Sequence, residues 1–505
     1  MIQLLTYVVG FALAAQAFIG LGYLVSSIWE KEKRASWFGA LQFVGMLMVL
    51  LIYIMLASSG YFTTPRGAAL LIVISTLSAG AAYFFMRRTS PNERALKGAQ
   101  GHVVSEVKRY DERKVVFARN HLVPGSSEYE RFYNEYPDLR ERDEERRKRG
   151  HVLGKYGFVD TPHEKANVAI MLAMRYFCAN TCKPEHLEPP QAPYLNGHKE
   201  SVTPNEAAIK VKGIAKHLGA CMVGITRIDS RWVYSHRGTI WKRKYDHGDT
   251  DWSKWGREIE LEYPYAIVVA EEMDRKLVDS APHTPVFIES IYNYSKGAYI
   301  TTQLAAAIAN MGYRAKAQHI QEYDVLLPPL AQDAGLGEVS RMGYLLTKKY
   351  GPRVRLSAVL TDWPMQVDKP KDIGVENFCS ICKKCATCCP SKSISEDRHP
   401  SEHNGSIRWK INGDTCFEYW GKVGTDCCIC MKVCPWAHAR TWPHKIIVWL
   451  ISRNKYAGML FSYMDDIFYG RKPKPKAPPV WAVFRKTTDD RQGKPVASTT
   501  ASGQD

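Results

Sequence analysis

The sequence predicts an α+β globular body carried behind three membrane-spanning helices. Three observations make that prediction. The first 86 of the 505 residues hold three long apolar stretches, at 4–28, 37–57 and 67–86. From about residue 151 to 360, apolar runs of strand length alternate with helical patterns. Ten of the 13 cysteines then crowd into residues 379–434.

Each apolar stretch is long enough to cross a hydrocarbon core of roughly 30 Å as a helix. None carries Lys, Arg, Asp or Glu inside, and Trp29, Trp37, Tyr61 and Phe62 sit at the ends, where an aromatic belt belongs. One such stretch could be a buried core helix; three in succession argue for a membrane. The first loop holds Lys31, Lys33 and Arg34, and Arg87, Arg88, Arg94 and Lys97 follow the third stretch, whereas the second loop holds only Arg66. The positive-inside rule therefore places the N-terminus outside and everything after residue 87 in the cytoplasm, in a multi-pass protein of the cell membrane. The first stretch lacks a basic leading region, so no cleavable signal is expected. Arg87-Arg88 follows a hydrophobic span and does not read as a twin-arginine signal.

Residues 87–150 are charged and weakly periodic, and 141–149 reads most simply as a solvated helix or linker. Beyond it, 203–218 reads as an amphipathic helix, 221–228, 266–270 and 354–360 as strands, and 301–311 as a helix. The tail from Arg471 is rich in Pro and Lys, then Ser and Thr, and reads as flexible. The formal net charge of +17 suits an anionic membrane surface or nucleic acid. No nucleic-acid motif accompanies it, so membrane lipid is the expected partner.

The cysteines form two runs. The first is Cys379-x₂-Cys382-x₂-Cys385-x₃-Cys389-Pro390; the second is Cys416-x₁₀-Cys427-x₂-Cys430-x₃-Cys434-Pro435. The first matches the bacterial ferredoxin pattern, in which three thiolates wrap one cubane and the fourth ligates the other. By that logic Cys379, Cys382, Cys385 and Cys434 hold one [4Fe–4S] cluster, and Cys389, Cys416, Cys427 and Cys430 the other. Cys388 and Cys428 abut ligands and break the spacing, so they read as packing residues. Zinc ribbons favour distant Cys-x₂-Cys pairs instead, and a reducing cytosol disfavours disulfides. The chain is therefore expected to move electrons.

With these runs in place, the chain resembles the corrinoid- and iron–sulfur-dependent reductive dehalogenases, over roughly residues 150–450. The likeness rests on Val223-Gly224 through Trp232-Val233-Tyr234-Ser235, then Tyr292-Asn293-Tyr294-Ser295 and Asp333-Ala334-Gly335-Leu336-Gly337-Glu338 with Ser340-Arg341. It continues through Gly351-Pro352-Arg353-Val354-Arg355-Leu356, Thr361-Asp362 and Cys434-Pro435-Trp436. It implies a nitroreductase-like corrinoid-binding domain followed by a ferredoxin-like two-cluster domain. It also implies base-off cobalamin and removal of halide from an organohalide by two electrons and one proton. Such a family binds corrinoid without a histidine ligand. That agrees with Asp397-Arg398-His399, which starts the usual motif but has Glu402 where Gly is required. The resemblance places the proton donor on Tyr294, with Tyr292 as its rival. It places the cation that favours its phenolate on Arg355, with Arg353 on the same side of a strand. A third position, usually Asn or Lys, falls in His319-Ile320-Gln321-Glu322 and has no assignment.

The expected organisation is a membrane anchor over 1–90, a charged linker over 91–150, a corrinoid-binding domain over 151–370, a two-cluster domain over 371–450, and an extension with flexible tail over 451–505. The anchor departs from the exported members of such a family, so electrons are expected from a quinone-linked or a cytosolic donor. Two other functions compete. An epoxyqueuosine reductase-like enzyme would share corrinoid and clusters, and halide release separates it. A membrane-anchored ferredoxin-type carrier would need neither corrinoid nor the roughly 280 residues between anchor and clusters.

Overall fold

A computed structural model describes residues 2–89, 91–149, 167–175, 186–187, 199–238, 252–320, 323–438 and 441–482. Gln321 and Glu322, the 151–166 stretch where the globular region was expected to begin, and the tail beyond 482 lie outside the described residues.

The three apolar stretches form α1 (Ile2–Trp29), α2 (Lys33–Ser58) and α3 (Pro65–Met86), each long and apolar enough to cross a membrane. α3 starts where the Thr64 hydroxyl accepts the Gly67 amide at 3.1 Å and Pro65, which needs no amide partner, takes the first helical position.

The segment read as a charged linker is largely helical and includes α4 (Ser127–Glu135) and α5 (Arg140–Arg149). α5 is not a solvated rod. Asp143 has no exposed surface; it pairs with Arg119 and Arg146, each at 2.7 Å, and accepts the Tyr133 hydroxyl at 2.8 Å. The charged run is legible as polar, but a carboxylate buried among cations that neutralise it leaves no mark in periodicity.

The core is one antiparallel sheet in the order β1-β4-β5-β3-β2, built from β1 (His186–Leu187), β2 (Met222–Arg227), β3 (Tyr265–Glu272), β4 (Ala315–Gln318) and β5 (Val354–Thr361). Alternation along β3 and β5 divides two hydrophobic layers. Ile267, Val269 and Val359 meet α6 (Pro204–His217) and α7 (Pro285–Asn310). Ala266, Val268, Ala270, Ala358 and Leu360 face the other way, onto α8 (Leu327–Asp333) and Trp232. Burial on both faces explains why β3 reads as an unbroken apolar run over 266–270, whereas Arg355 and Ser357 interrupt β5. α6 opens with a reciprocal box in which Thr203 and Glu206 cap each other's backbone amides. α7 begins sixteen residues earlier than its Ala-rich half suggests, at Pro285, so Tyr294 lies within the helix and not at its start.

The cysteine-rich region follows, with α9 (Val375–Cys382) and α10 (Gly413–Val423). After Cys434 the chain forms α11 (Trp442–Ile451) and α12 (Lys455–Tyr469), which return to the membrane helices. Trp442 stacks on Phe18 with ring centres 5.6 Å apart, Arg34 donates to the Ile467 carbonyl at 2.7 Å, and Arg275 pairs with Glu30 at 2.9 Å. A Cβ on Gly22 would overlap the Trp442 indole, so glycine is required at that crossing. Gly22→Leu is expected to expel Trp442, at a cost of about 1–3 kcal/mol, and to speed trypsin cleavage near α11 in detergent. Gly45→Leu, where a Cβ meets nothing within 4 Å, should leave the cleavage rate as it was.

Candidate active site and cysteine cradle

α7, β5 and the second cysteine run converge on Arg355. Residues advance about 100° each around a helix, so Tyr292 and Tyr294 face opposite ways. Tyr292 is 46% exposed, while Tyr294 turns inward towards β5. The Arg355 guanidinium lies 5.1 Å from the Tyr294 ring centre, and one of its nitrogens is 3.4 Å from the phenol oxygen. Its other terminal nitrogen donates to Ser290 Oγ at 2.7 Å and to Asp426 Oδ2 at 3.4 Å. Arg353 goes elsewhere: it precedes the strand and donates to the carbonyls of Met273 and Ala437. Of the paired candidates, the structure therefore brings together Tyr294 and Arg355.

The electrostatics follow from burial. Burial disfavours charge on Arg355, but Tyr294, Cys428 and Asp426 outweigh it and hold the group above its ordinary range. Asp426 is pushed up by burial, although Arg355 and Ser290 act against the shift. Directly across the sheet from Arg355 sits Glu271. It accepts Ser357 Oγ at 2.6 Å, and burial pushes it up to about 8. Gly297 of α7 leaves room for this carboxyl, since a Cβ there would lie 3.1 Å from it. Neither Asp426 nor Glu271 was anticipated: an isolated acid between apolar residues carries no pattern that marks it as buried. His319 ends up buried near the end of β4, both ring nitrogens unpartnered among the described residues, and burial lowers it to about 4. His399 is exposed.

The cysteines fall into two neighbourhoods. Cys434 lies within electrostatic reach of Cys379, Cys382 and Cys385. Cys427 lies near Cys416 and Cys389, and Cys430 near Cys427 and Cys416. Cys389, Cys416, Cys427 and Cys430 line one small cavity with Arg355 and Tyr344. Burial pushes the Cys379 and Cys427 thiols up to about 12. Binding iron would therefore release protons. Among the described residues, no three His, Cys, Asp or Glu side chains are grouped as ligands of a metal ion.

Two backbone details bear on the fit. Lys383 (φ 52°) and Cys428 (φ 47°) adopt the left-handed conformation, each directly after a ligand candidate and two residues before the next. That conformation costs a non-glycine residue roughly 1–2 kcal/mol. Its recurrence at equivalent points of both runs fits loops that must wrap their sulfurs round a compact object. Arg341 also lies beside the first set. It is fully buried, donates among the described residues to the carbonyls of Cys379, Ser395 and Asp397, and stacks 4.5 Å over Trp409. No carboxylate among the described residues forms an ion pair with it. A buried cation whose nearest acids are thiols suits a negatively charged thiolate cluster. The sequence presented Arg341 as part of the family-like stretch but not this role.

Next to the second cysteine set opens a cavity of about 1040 Å³, sharing Tyr344, Cys416 and Trp420 with it. Its walls mix aromatics such as Trp232 and Tyr234 with polar groups such as Gln332 and Asn404. The volume is at the upper end of ligand pockets.

No protein-family model matches the chain. Among curated proteins it is similar to tetrachloroethene reductive dehalogenase of Sulfurospirillum multivorans, 32% identical over 305 residues that make up 54% of this chain and 59% of that protein. The chain thus spans about three fifths of that relative. An epoxyqueuosine reductase of Aliivibrio fischeri is 27% identical over 263 residues, 46% of this chain and 67% of that one. Among solved structures, a catabolic reductive dehalogenase superposes with a TM-score of 0.56 at 25% identity, over 77% of this chain and 49% of that one. A second reductive dehalogenase, whose structure suggests a mechanism for B12-dependent dehalogenation, shares the fold at a TM-score of 0.55 and 24% identity, over 77% and 49%. In sequence and in fold, the chain is similar to the reductive dehalogenases.

Two measurements probe the site. Reconstituted protein should hold about eight irons, and Cys416→Ala should lose about half while keeping the other cluster's spectrum; unchanged iron would reassign the second run. Glu271 gives a pH signature. Between its ordinary value near 4.5 and about 8 the folded chain keeps a proton that the unfolded chain has lost. Stability must then fall as pH rises through that window, by up to about 1.4 kcal/mol per unit. Thermal unfolding at about pH 5 and about pH 8 should show this fall, and Glu271→Gln should flatten part of it.

Proposed function

We propose that this chain is a membrane-anchored reductive dehalogenase, with a nitroreductase-like catalytic domain and a ferredoxin-like two-cluster domain. The observation that carries the reading is the Tyr294–Arg355 pair, set where the core sheet meets the second cysteine run. The reaction is R–X + 2e⁻ + H⁺ → R–H + X⁻. A base-off corrinoid in the cavity of about 1040 Å³ would supply the strong reductant for the carbon–halogen bond, and two [4Fe–4S] clusters on Cys379, Cys382, Cys385, Cys434 and on Cys389, Cys416, Cys427, Cys430 would feed it electrons.

The chain's own side chains supply the rest. Tyr294 presents a hydroxyl that can give its proton to carbon as halide leaves. Arg355 stands 3.4 Å from the oxygen on which negative charge is then left. Asp426 and Ser290 hold that guanidinium in place from the opposite side. Buried Glu271, protonated at neutral pH, keeps a second negative charge away from Arg355 across the sheet.

The anchor sets the location. Both Lys/Arg-rich ends of the membrane helices face the body of the protein: Glu30 and Arg34 contact Arg275 and α12, and the Arg87 carbonyl accepts from Asn454 at 3.1 Å. The positive-inside rule then sets the catalytic body in the cytoplasm, with an organohalide substrate, lipid contact and no nucleic acid.

Tyr294→Phe removes one hydroxyl and should leave iron and corrinoid content intact. Halide release, measured anoxically with an artificial reductant at matched corrinoid loading, should drop about 10²–10⁴-fold. Tyr292→Phe should change it little. Near-native turnover by Tyr294→Phe would refute the assignment, and a crippled Tyr292→Phe enzyme would move the role there.

A further inference from the structure

A second large cavity, of about 1090 Å³, lies between the membrane helices and the first cysteine set. Its walls come from several parts of the chain: Ile19 and Tyr23 from α1 and Gln42 from α2, Trp449 and Phe468 from α11 and α12, Phe378 and Trp436 from the cysteine region, and Lys348 and Lys349 from the loop before β5. The outer faces of α11 and α12 expose Ile446, Met459, Leu460 and Ile467 next to the membrane spans. The cavity is thus placed to receive a lipophilic molecule from the bilayer.

One end of the cavity is polar. His438 Nε2 lies 2.5 Å from Asp465 Oδ1, and Asp465 is also paired with buried Lys384. The His438 ring stacks on Tyr469 with centres 3.9 Å apart, and the Tyr469 hydroxyl lies 2.8 Å from His444 Nε2. An imidazole backed by a carboxylate is a base for a hydroxyl proton. A second polar feature stands apart from this network. Trp436 is 3% exposed, lines the cavity, and its indole N–H has no partner among the described residues. It offers a donor to a carbonyl oxygen.

The cavity wall is also the cluster wall. Phe378 precedes Cys379, Trp436 follows Cys434 by two residues, and Asp465 lies within electrostatic reach of Cys382. The second cysteine set, by contrast, faces Arg355. A ligand matching all of this is lipophilic, carries a hydroxyl that can lose a proton and an oxygen that can accept one hydrogen bond, and gives up electrons. We propose that the cavity is a quinol-oxidising site. There a membrane quinol releases two electrons, one at a time, to the cluster on Cys379, Cys382, Cys385 and Cys434, and its protons pass to the His438–Asp465 pair and on to solvent. The balance is QH₂ → Q + 2e⁻ + 2H⁺. Resting on the dehalogenase reading, the sum is QH₂ + R–X → Q + R–H + H⁺ + X⁻.

The test uses the full chain, iron loaded, in anoxic lipid nanodiscs. The first probe is heptyl-hydroxyquinoline N-oxide, a quinol analogue whose fluorescence is quenched when bound. One saturable site per chain is expected, displaced by menadione and lost in Ile19→Trp, which fills the cavity. The second probe is menadiol, followed by bleaching of the cluster absorbance with no organohalide present. His438→Gln should slow that bleaching about 10²-fold, while dithionite should bleach wild type and both variants to the same extent, showing their clusters intact. Absent binding, binding unaffected by Ile19→Trp, or clusters that respond to dithionite but not to menadiol would each overturn the proposal. So would displacement of the analogue by phospholipid alone, which would make the cavity a lipid site. Halide release driven by reduced methyl viologen bypasses the cavity. Its failure beside successful reduction by menadiol would refute the dehalogenase reading and leave the quinol site standing.

Discussion

A guanidinium taken out of water needs partners for its charge, and Arg355 finds them in three parts of the chain at once. Its own strand is β5; Tyr294 and Ser290 come from α7; Asp426 and Cys428 come from the second cysteine run. Losing one partner of such a buried pair typically costs about 3–5 kcal/mol, because the other charge is stranded. The three parts therefore have one favoured relative placement. That placement brings a phenol, a cation and four cysteines to a common junction, which no single segment could build alone.

The cysteine runs show the same economy in chain order. Cys434, last in sequence, belongs with the first three, while Cys389 sits with the later group. Each half then depends on the other, and the region cannot be divided into two independent knots. The strained residues Lys383 and Cys428 occupy matching points in the two loops. This internal correspondence was invisible in the sequence, because Lys in one loop and Cys in the other share no chemistry. Only the backbone conformation makes them equivalent.

Legibility tracked burial pattern. The spans and the strand at 266–270 were readable because apolar residues run through them with few interruptions, the strand at 354–360 in spite of Arg355 and Ser357, and the grouping of the cysteines follows a ligand spacing that is chemically narrow. The first half of α7 was not, since Tyr292-Asn293-Tyr294-Ser295-Lys296-Gly297 mixes polar groups into a helix that is buried on most sides. There Asn293 donates back to Glu289 at 2.6 Å, a pairing that periodicity cannot report. α11 and α12 were missed for a related reason. Their apolar residues point both at the cysteine region and outward beside the spans. Arg341, Asp426 and Glu271 lie beyond any such reading, because a buried charge is defined by the partners that surround it.

The return of α11 and α12 to the three apolar helices decides how the two ends of the molecule relate. Glycine at position 22 admits Trp442 into the anchor, and Arg275, on the sheet side, reaches Glu30 at the end of α1. The cysteine region is thereby held between the anchor and the core sheet. Its first set borders the cavity that faces the spans, and its second set borders Arg355. The two sets also adjoin each other, since Cys385 lies within electrostatic reach of Cys430. On the proposed function, reductant and organohalide would enter by different cavities. The protonating tyrosine would then be kept apart from the bases at the membrane end, so a proton released there could not be passed straight to carbon and would have to exchange with solvent first.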